Sequence, residues 1–275
     1  MATESIPHEV VSGEVAGHAA DAAHEGGVHV AIAAEKIGEF FGIPITNALV
    51  TSWVTIALLV IVAFVMGSRL KLIPSRFQLV LESMVEFIYD YIAETLGSRD
   101  MARKFFPLLT TIFLFIFIAN MLHFIPGVGS IGFFHGDVFE PLLRAPNSDL
   151  SMPLVLAVIS FIVIEVTGIL AIGIVKYSRK FFDFSSPIAF GIGIIEFIGE
   201  MVRVVSLSFR LFGNILAGEV LIAVAVYFVP YGLPVPLMMF EIFIGLLQAA
   251  VFSLLTLFFI KLAITEPHSA ESHAH

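Results

Sequence analysis

At 275 residues and 30.0 kDa, with 58% hydrophobic and only 13% charged residues, the chain is too apolar for an ordinary soluble domain. Its mean hydropathy of +0.99 belongs to a bilayer protein, and the absence of cysteine excludes disulfides, thiolate metal sites and cysteine nucleophiles. The net charge is −9, but seven of the 23 acids lie in residues 1–40 beside one lysine and two more follow Ile264, so the acidity is largely terminal and no basic patch points to nucleic acid.

Residues 1–44 mix Ala, His, Glu and Gly with weak helical periodicity and read as a polar tail. No Lys or Arg precedes an apolar core there, so the segment is not a signal peptide. His8, His18, His24 and His29, with His268, His273 and His275 at the other end, have spacings that fix no ligand geometry. Solvated tails are the expected reading and weak metal binding the alternative, so neither a structural metal nor a cofactor is expected.

A spanning helix needs about 20 mostly apolar residues to cross ~30 Å of hydrocarbon. Five stretches qualify: 46–67, 106–125, 152–175, 188–229 and 236–264. Between the first two, residues 74–97 place Phe77, Val80, Leu81, Met84, Val85, Ile88 and Ile92 on one face and Glu82, Glu86, Asp90 and Glu94 on another. That pattern predicts an amphipathic helix on the membrane surface or along a partner helix. The predicted fold is an all-α polytopic membrane protein, with one membrane domain over 45–264 and a tail at 265–275.

Orientation follows from the positive charges. Arg69, Lys71, Arg76, Arg99, Arg103 and Lys104 lie in the first connection, and Lys176, Arg179 and Lys180 in the third. The second connection sets Asp137, Glu140 and Asp149 against a single Arg144. The N-terminus is therefore expected outside and the C-terminus in the cytoplasm.

The last two spans hold 42 and 29 residues, or ~63 and ~43 Å of helix, longer than a bilayer requires. Joined by the uncharged turn Pro230-Tyr231-Gly232, they predict a long antiparallel hairpin, steeply tilted, that leans on another protein surface.

Ionisable groups inside these spans carry the functional signal, because each costs at least ~2.5–3.5 kcal/mol at the bilayer centre. The fourth span holds Glu196, Glu200, Arg203, Arg210, Asn214 and Glu219, the fifth Glu241 and Gln248, the third Glu165. Relative to Arg210, Ser206 lies at about −40°, Arg203 at about +20°, and Asn214 and Glu196 at about +40°. Glu219 falls at about 180° and ~13 Å further along. Glu241 and Gln248, seven apart, share a face; Gln248 reaches nearly the depth of Asn214 and Glu241 that of Glu219. Two polar routes result, one from each side, approaching at Arg210 without one continuous pore. A permanent cation there blocks direct proton passage and attracts a carboxylate brought by a partner. Plainer readings remain for some positions: Glu196 and Glu200 pairing with Arg203 along the helix, and Glu165 satisfying a neighbouring helix. For Arg210 the plainer reading is a packing pair with Glu219 or Glu241, but the helix phase aims Glu219 away.

The run Ser206-Leu207-Ser208-Phe209-Arg210-Leu211-Phe212-Gly213-Asn214-Ile215-Leu216-Ala217-Gly218-Glu219 resembles the signature of subunit a of bacterial F-type ATP synthases. Supporting stretches are Asn120-Met121-Leu122, Pro146-Asn147-Ser148-Asp149-Leu150, Glu196, and Leu247-Gln248-Ala249 before Val251-Phe252, and the resemblance covers roughly 45–264. It implies a stator in the bacterial inner membrane that lies against a rotating ring of c subunits, near the b subunits of a peripheral stalk. Arg210 is then the essential arginine that meets the ring carboxylate. Asn214, Glu219 and Gln248 line the proton route with Glu241 and Ser206, and Glu196 and Glu165 are weaker members. One departure is Glu241, where some members carry His. Protons are the expected ion; Na⁺ stays open because the ring supplies the binding carboxylate. No G-x-x-x-x-G-K-[ST] phosphate loop is present, so ATP chemistry is expected on other subunits. The alternatives are an ion-coupled secondary transporter, which normally shows duplicated halves, and a structural membrane anchor, which has no need of Arg210.

Overall fold

The computed structural model describes residues 36–40, 43–68, 75–122, 124–125, 132–135, 138–141, 143–181 and 186–265. In chain order these form β1 (Lys36–Phe40), β2 (Ile43–Thr46), α1 (Asn47–Ser68), α2 (Arg76–Leu96), α3 (Arg99–Leu122), β3 (Gly132–His135) and β4 (Val138–Pro141). A 3-10 turn (Pro146–Ser148) leads to α4 (Ser151–Ile172), α5 (Ile174–Phe181), α6 (Pro187–Phe228) and α7 (Pro234–Ile264). Helices α1, α3, α4, α6 and α7 are the five long and apolar enough to cross a membrane. The fold is an all-α polytopic membrane protein. The terminal histidines lie outside the described residues.

Local chemistry explains where the helices begin and end. Ser75 caps α2 by accepting the Gln78 N–H, and Gly97 closes it in the left-handed conformation at φ 70°. Its apolar face sets Ile92 and Leu96 against α3 and α7, while Leu79, Val80, Met84 and Phe87 stay exposed, as an amphipathic surface helix requires. Ser186 accepts the N–H groups of Ile188 and Ala189 at the start of α6, with Pro187 just inside.

Three boundaries depart from expectation. Helix α3 begins at Arg99 rather than at 106, because Ser98 Oγ accepts the Met101 N–H and Asp100 complements the positive end of the helix. Helix α4 stops at Ile172 instead of running to 175, because Gly173 turns the chain at φ +92°. The short helix α5 then folds back so that the Tyr177 ring sits directly on Gly168, where any Cβ would overlap it. Finally, the β1–β2 and β3–β4 hairpins stand where a tail and a plain connection were expected.

Helix α3 packs most extensively on α7, and α4 fills the angle between α6 and α7. Two apolar clusters result, one around Ile92, Leu109 and Ile260, the other around Ile116, Leu211 and Phe252. Helix α1 buries Asn47, Ala48, Thr51, Ser52 and Thr55, rests Leu59 against the second cluster and exposes most of its remaining residues. Helices α6 and α7 span 42 and 31 residues, and their contacts run in opposite order: Asn214 meets Gln248, and Gly218 meets Glu241. They are an antiparallel pair.

Candidate functional site

On α6 the three-and-four spacing lines up Ser206, Arg210 and Asn214, and the structure leaves all three exposed on the outer surface of the bundle. The same face carries small residues. Ala217 is exposed, and Cβ atoms built on Gly199 and Gly213 would touch nothing. Among the described residues no carboxylate pairs with Arg210; the ion pairs there are Arg99–Asp90, Arg144–Glu219 and Arg203–Glu200. The expected separation of Glu219 from Arg210 is what the structure shows, and Glu219 has a different partner.

That partner is Arg144, whose guanidinium lies 3.5 Å from Glu219 Oε2, with both side chains only 11% exposed. The Arg144 N–H donates to Thr51 Oγ1 at 3.0 Å, which fixes this residue, just before the 3-10 turn, to the first turns of α1. Arg144 was missed as a site residue, although its position as the one cation in an acidic connection was a signal. Glu241 is 4% exposed, lies close enough to Glu219 for their charges to interact, and packs its carboxylate against the bare Cα of Gly218. Both Glu241 oxygens are without a hydrogen-bond partner among the described residues.

Deeper in the bundle, Asn214 donates its amide to Gln248 Oε1 at 2.9 Å, which ties the exposed stripe to α7. Gln248 Nε2 is buried and unpartnered among the described residues. Nearby, Asn147 donates to Asn120 Oδ1 at 2.7 Å and Asn120 donates to the Gly245 carbonyl at 3.2 Å; both asparagines are fully buried. Asn120 and Asn147 lay in stretches noted for resemblance, but their role as a clamp holding α7 in register was not visible until the helices met. Glu219, Glu241, Gln248 and Asn214 thus come together. Arg144→Ala removes the 3.5 Å ion pair with Glu219 from a nearly buried site. It is expected to lower the thermal stability of the protein in detergent, with Arg144→Lys intermediate, as read by its unfolding temperature.

Glu165, Glu196 and Glu200 belong to a second group nearer the α5 end. The Tyr177 hydroxyl donates to Glu165 Oε2 at 3.0 Å, so Glu165 satisfies the neighbouring helix α5. Burial first, and then the Glu165 charge, push the Tyr177 phenol well above its usual range, so it stays a donor. Arg203 bonds Glu200 at 2.8 Å, and Glu196 is half-buried one turn away. No group of three or more His, Asp or Glu side chains among the described residues is arranged to hold a metal ion.

The family described as ATP synthase A chain matches residues 49–261, which contain every residue of both groups. The chain belongs to that family. ATP synthase subunit a of Moorella thermoacetica is 35% identical over 79% of this chain and 90% of its own length. Subunit a of Geotalea daltonii is 32% identical over 81% of this chain and 89% of its own, and that of Campylobacter jejuni 35% over 73% and 83%. Membership in the ATP synthase A chain family ties this multi-pass membrane protein to ATP synthesis and proton transport.

Proposed function

We propose that the chain is the stator subunit of an ATP synthase membrane sector, with two offset proton half-channels that meet at Arg210 against a ring of c subunits. The observation that carries this reading is the α6 face itself. A guanidinium, a hydroxyl and an amide stand exposed beside small residues on a helix that otherwise shows lipid Val202, Val205 and Phe209. An unpaired Arg in hydrocarbon is costly, and small residues let another helix approach closely, so the face calls for a partner that carries a carboxylate.

The positive-inside bias places the α5 end in the cytoplasm and the α6–α7 turn outside the bacterial inner membrane, with the N-terminal tail outside and the C-terminal tail within. A proton from outside passes Glu241 and Glu219 to Asn214 and Gln248 and neutralises the ring carboxylate. Buried polar atoms such as Glu241 Oε1 and Gln248 Nε2 support this route, because native proteins satisfy such groups with ordered water. The neutral carboxyl rotates through lipid and, after nearly a full turn, meets Ser206 and Arg210, where the guanidinium favours its ionised form. Glu196 and Glu165 line the approach on the cytoplasmic side. The exposed apolar strip of α2 is where the b subunits of the peripheral stalk dock, and ATP chemistry belongs to the remaining subunits.

The test uses the absence of native cysteine. Ser206→Cys is paired with a cysteine one turn from the ring carboxylate, and Phe64→Cys on the lipid face of α1 serves as control. Oxidation is expected to join the Ser206→Cys chain to the ring and leave Phe64→Cys free. Equal cross-linking at both positions, or none at Ser206→Cys, removes the docking face and with it the reading.

A further inference from the structure

Between α4, α6 and α7, on the α5 side of Arg210, a cleft is lined by Ser160, Ile164, Glu200, Arg203, Leu207 and Phe259. The space open to the centre of a water molecule is about 10 Å³, the room that one water takes. Ser160 is 1% exposed, and its Oγ has no hydrogen-bond partner among the described residues. Thr110 Oγ1 on α3 is likewise without a partner among the described residues, but seven other helix hydroxyls behave differently. Thr51, Ser52, Thr55, Ser83, Thr167, Ser208 and Thr256 all donate to the carbonyl four residues back. A buried hydroxyl left unpaired costs about 1–3 kcal/mol, so one that forgoes its own backbone is placed for another partner.

Two charged groups line the same cleft. Glu200 is 3% exposed and bonds Arg203, whose guanidinium lies 4.7 Å from the centre of the Phe259 ring. Arg203 also belongs to the Arg210 face of α6, so it bridges the outer surface and the cleft. Further toward the α5 end, Glu165 bonds the Tyr177 hydroxyl, and Glu196 and Glu200 lie within electrostatic reach of it. A water in the cleft has the two to four polar neighbours that a stable internal site requires.

We propose that this cleft binds a water molecule, held by Ser160 and the Glu200–Arg203 pair, through which protons pass between the Arg210 face and the α5 end. The inference rests on the stator reading above and adds a passage inside the subunit, behind the exposed helix face. A proton released from the ring carboxylic acid reaches this water along the Ser206–Arg203 surface. The water accepts it and gives up one of its own to the Glu200 carboxylate, so each O–H bond broken is matched by one formed and no electron moves. Glu200 then releases its proton toward Tyr177 and Glu165. Ser160 and Arg203 are positioning residues in this scheme.

Because the chain has no cysteine, Ser160→Cys adds one thiol to this subunit. Inverted vesicles holding the whole enzyme are treated with Ag⁺, and ATP-driven pumping is compared with the same vesicles untreated, beside wild type and Val158→Cys, which faces lipid. Since only a hydrated thiol reacts readily, Ag⁺ is expected to cut pumping by Ser160→Cys about tenfold or more and to leave the other two unchanged. Glu200→Gln is expected to slow pumping without Ag⁺, and Ser160→Thr to retain more of it than Ser160→Val. Insensitivity of Ser160→Cys to Ag⁺, or wild-type pumping by Glu200→Gln, overturns the proposal. Where Ser160→Cys does not assemble, Ala157→Cys lines the same cleft and carries the same two outcomes. If Arg210→Ala abolishes pumping while Ser160→Cys ignores Ag⁺, the inner passage falls and the stator reading stands; if Arg210→Ala pumps normally, both fall.

Discussion

Arg210→Ala is expected to abolish ATP-driven proton pumping by the reconstituted enzyme, by at least roughly 100-fold, while passive proton leak under an imposed potential is retained or raised. The size follows from the charge that is lost. A guanidinium about 4 Å from a carboxylate contributes about 4 kcal/mol at an effective dielectric constant of 20, nearly three decades in the carboxylate's proton equilibrium. On the proposed stator reading, its loss leaves the ring carboxyl arriving from the lipid with no reason to give up its proton on the cytoplasmic side and removes the barrier between the two routes. Because Arg210 makes no ion pair among the described residues and is exposed, its removal leaves no buried carboxylate behind, and the subunit still assembles. Arg210→Lys keeps a charge but not the planar fork or the very high proton affinity, and is expected to pump poorly as well. Liposomes holding the full complex read both quantities; normal pumping by Arg210→Ala would return the residue to a structural role.

Gly218→Ala is expected to reduce pumping by roughly 10- to 100-fold, the range that follows when a reacting group is displaced by about 1 Å. The added Cβ falls inside the Glu241 carboxylate, which is the mobile end of its side chain and therefore yields. Stability moves the other way, since alanine in a helix is favoured over glycine by about 0.5–1 kcal/mol. Activity is thus predicted to fall while the amount of assembled subunit does not. Gly67→Ala, where the new methyl touches nothing, is the control. Equal activity in the two variants would show that the place of Glu241 is unimportant.

The spans and the polar stripe were legible because each is a local pattern. Twenty apolar residues and a three-and-four spacing can be read without knowing what lies opposite. The Arg210 face and the opposed phase of Glu219 came directly from that periodicity. What stayed hidden depends on pairs far apart in the chain. Arg144 meets Glu219 across 75 positions, and Asn120 meets Gly245 across 125. Nothing in the neighbourhood of either residue encodes its partner. The break at Gly173 was missed for another reason: apolar residues continue through Val175, so hydropathy sees one helix where a single positive φ ends it. Ser160 illustrates the same limit, since a serine in an apolar span usually bonds its own backbone and only the fold shows that this one does not.

The short turn at Pro146–Ser148 touches α1, α3, α4 and α6. Together with Arg144 beside it, it satisfies hydroxyl and amide groups on helices that precede it in the chain. The early spans therefore enter the lipid as independent units, each closing its own backbone bonds, before Arg144 reaches Thr51 and Asn147 reaches Asn120. Assembly of the bundle is a late event in biosynthesis, governed by a three-residue segment with no hydropathy of its own to announce it. A lesion there would yield a chain that inserts fully and never closes, leaving quality control to find a fault that membrane insertion does not reveal.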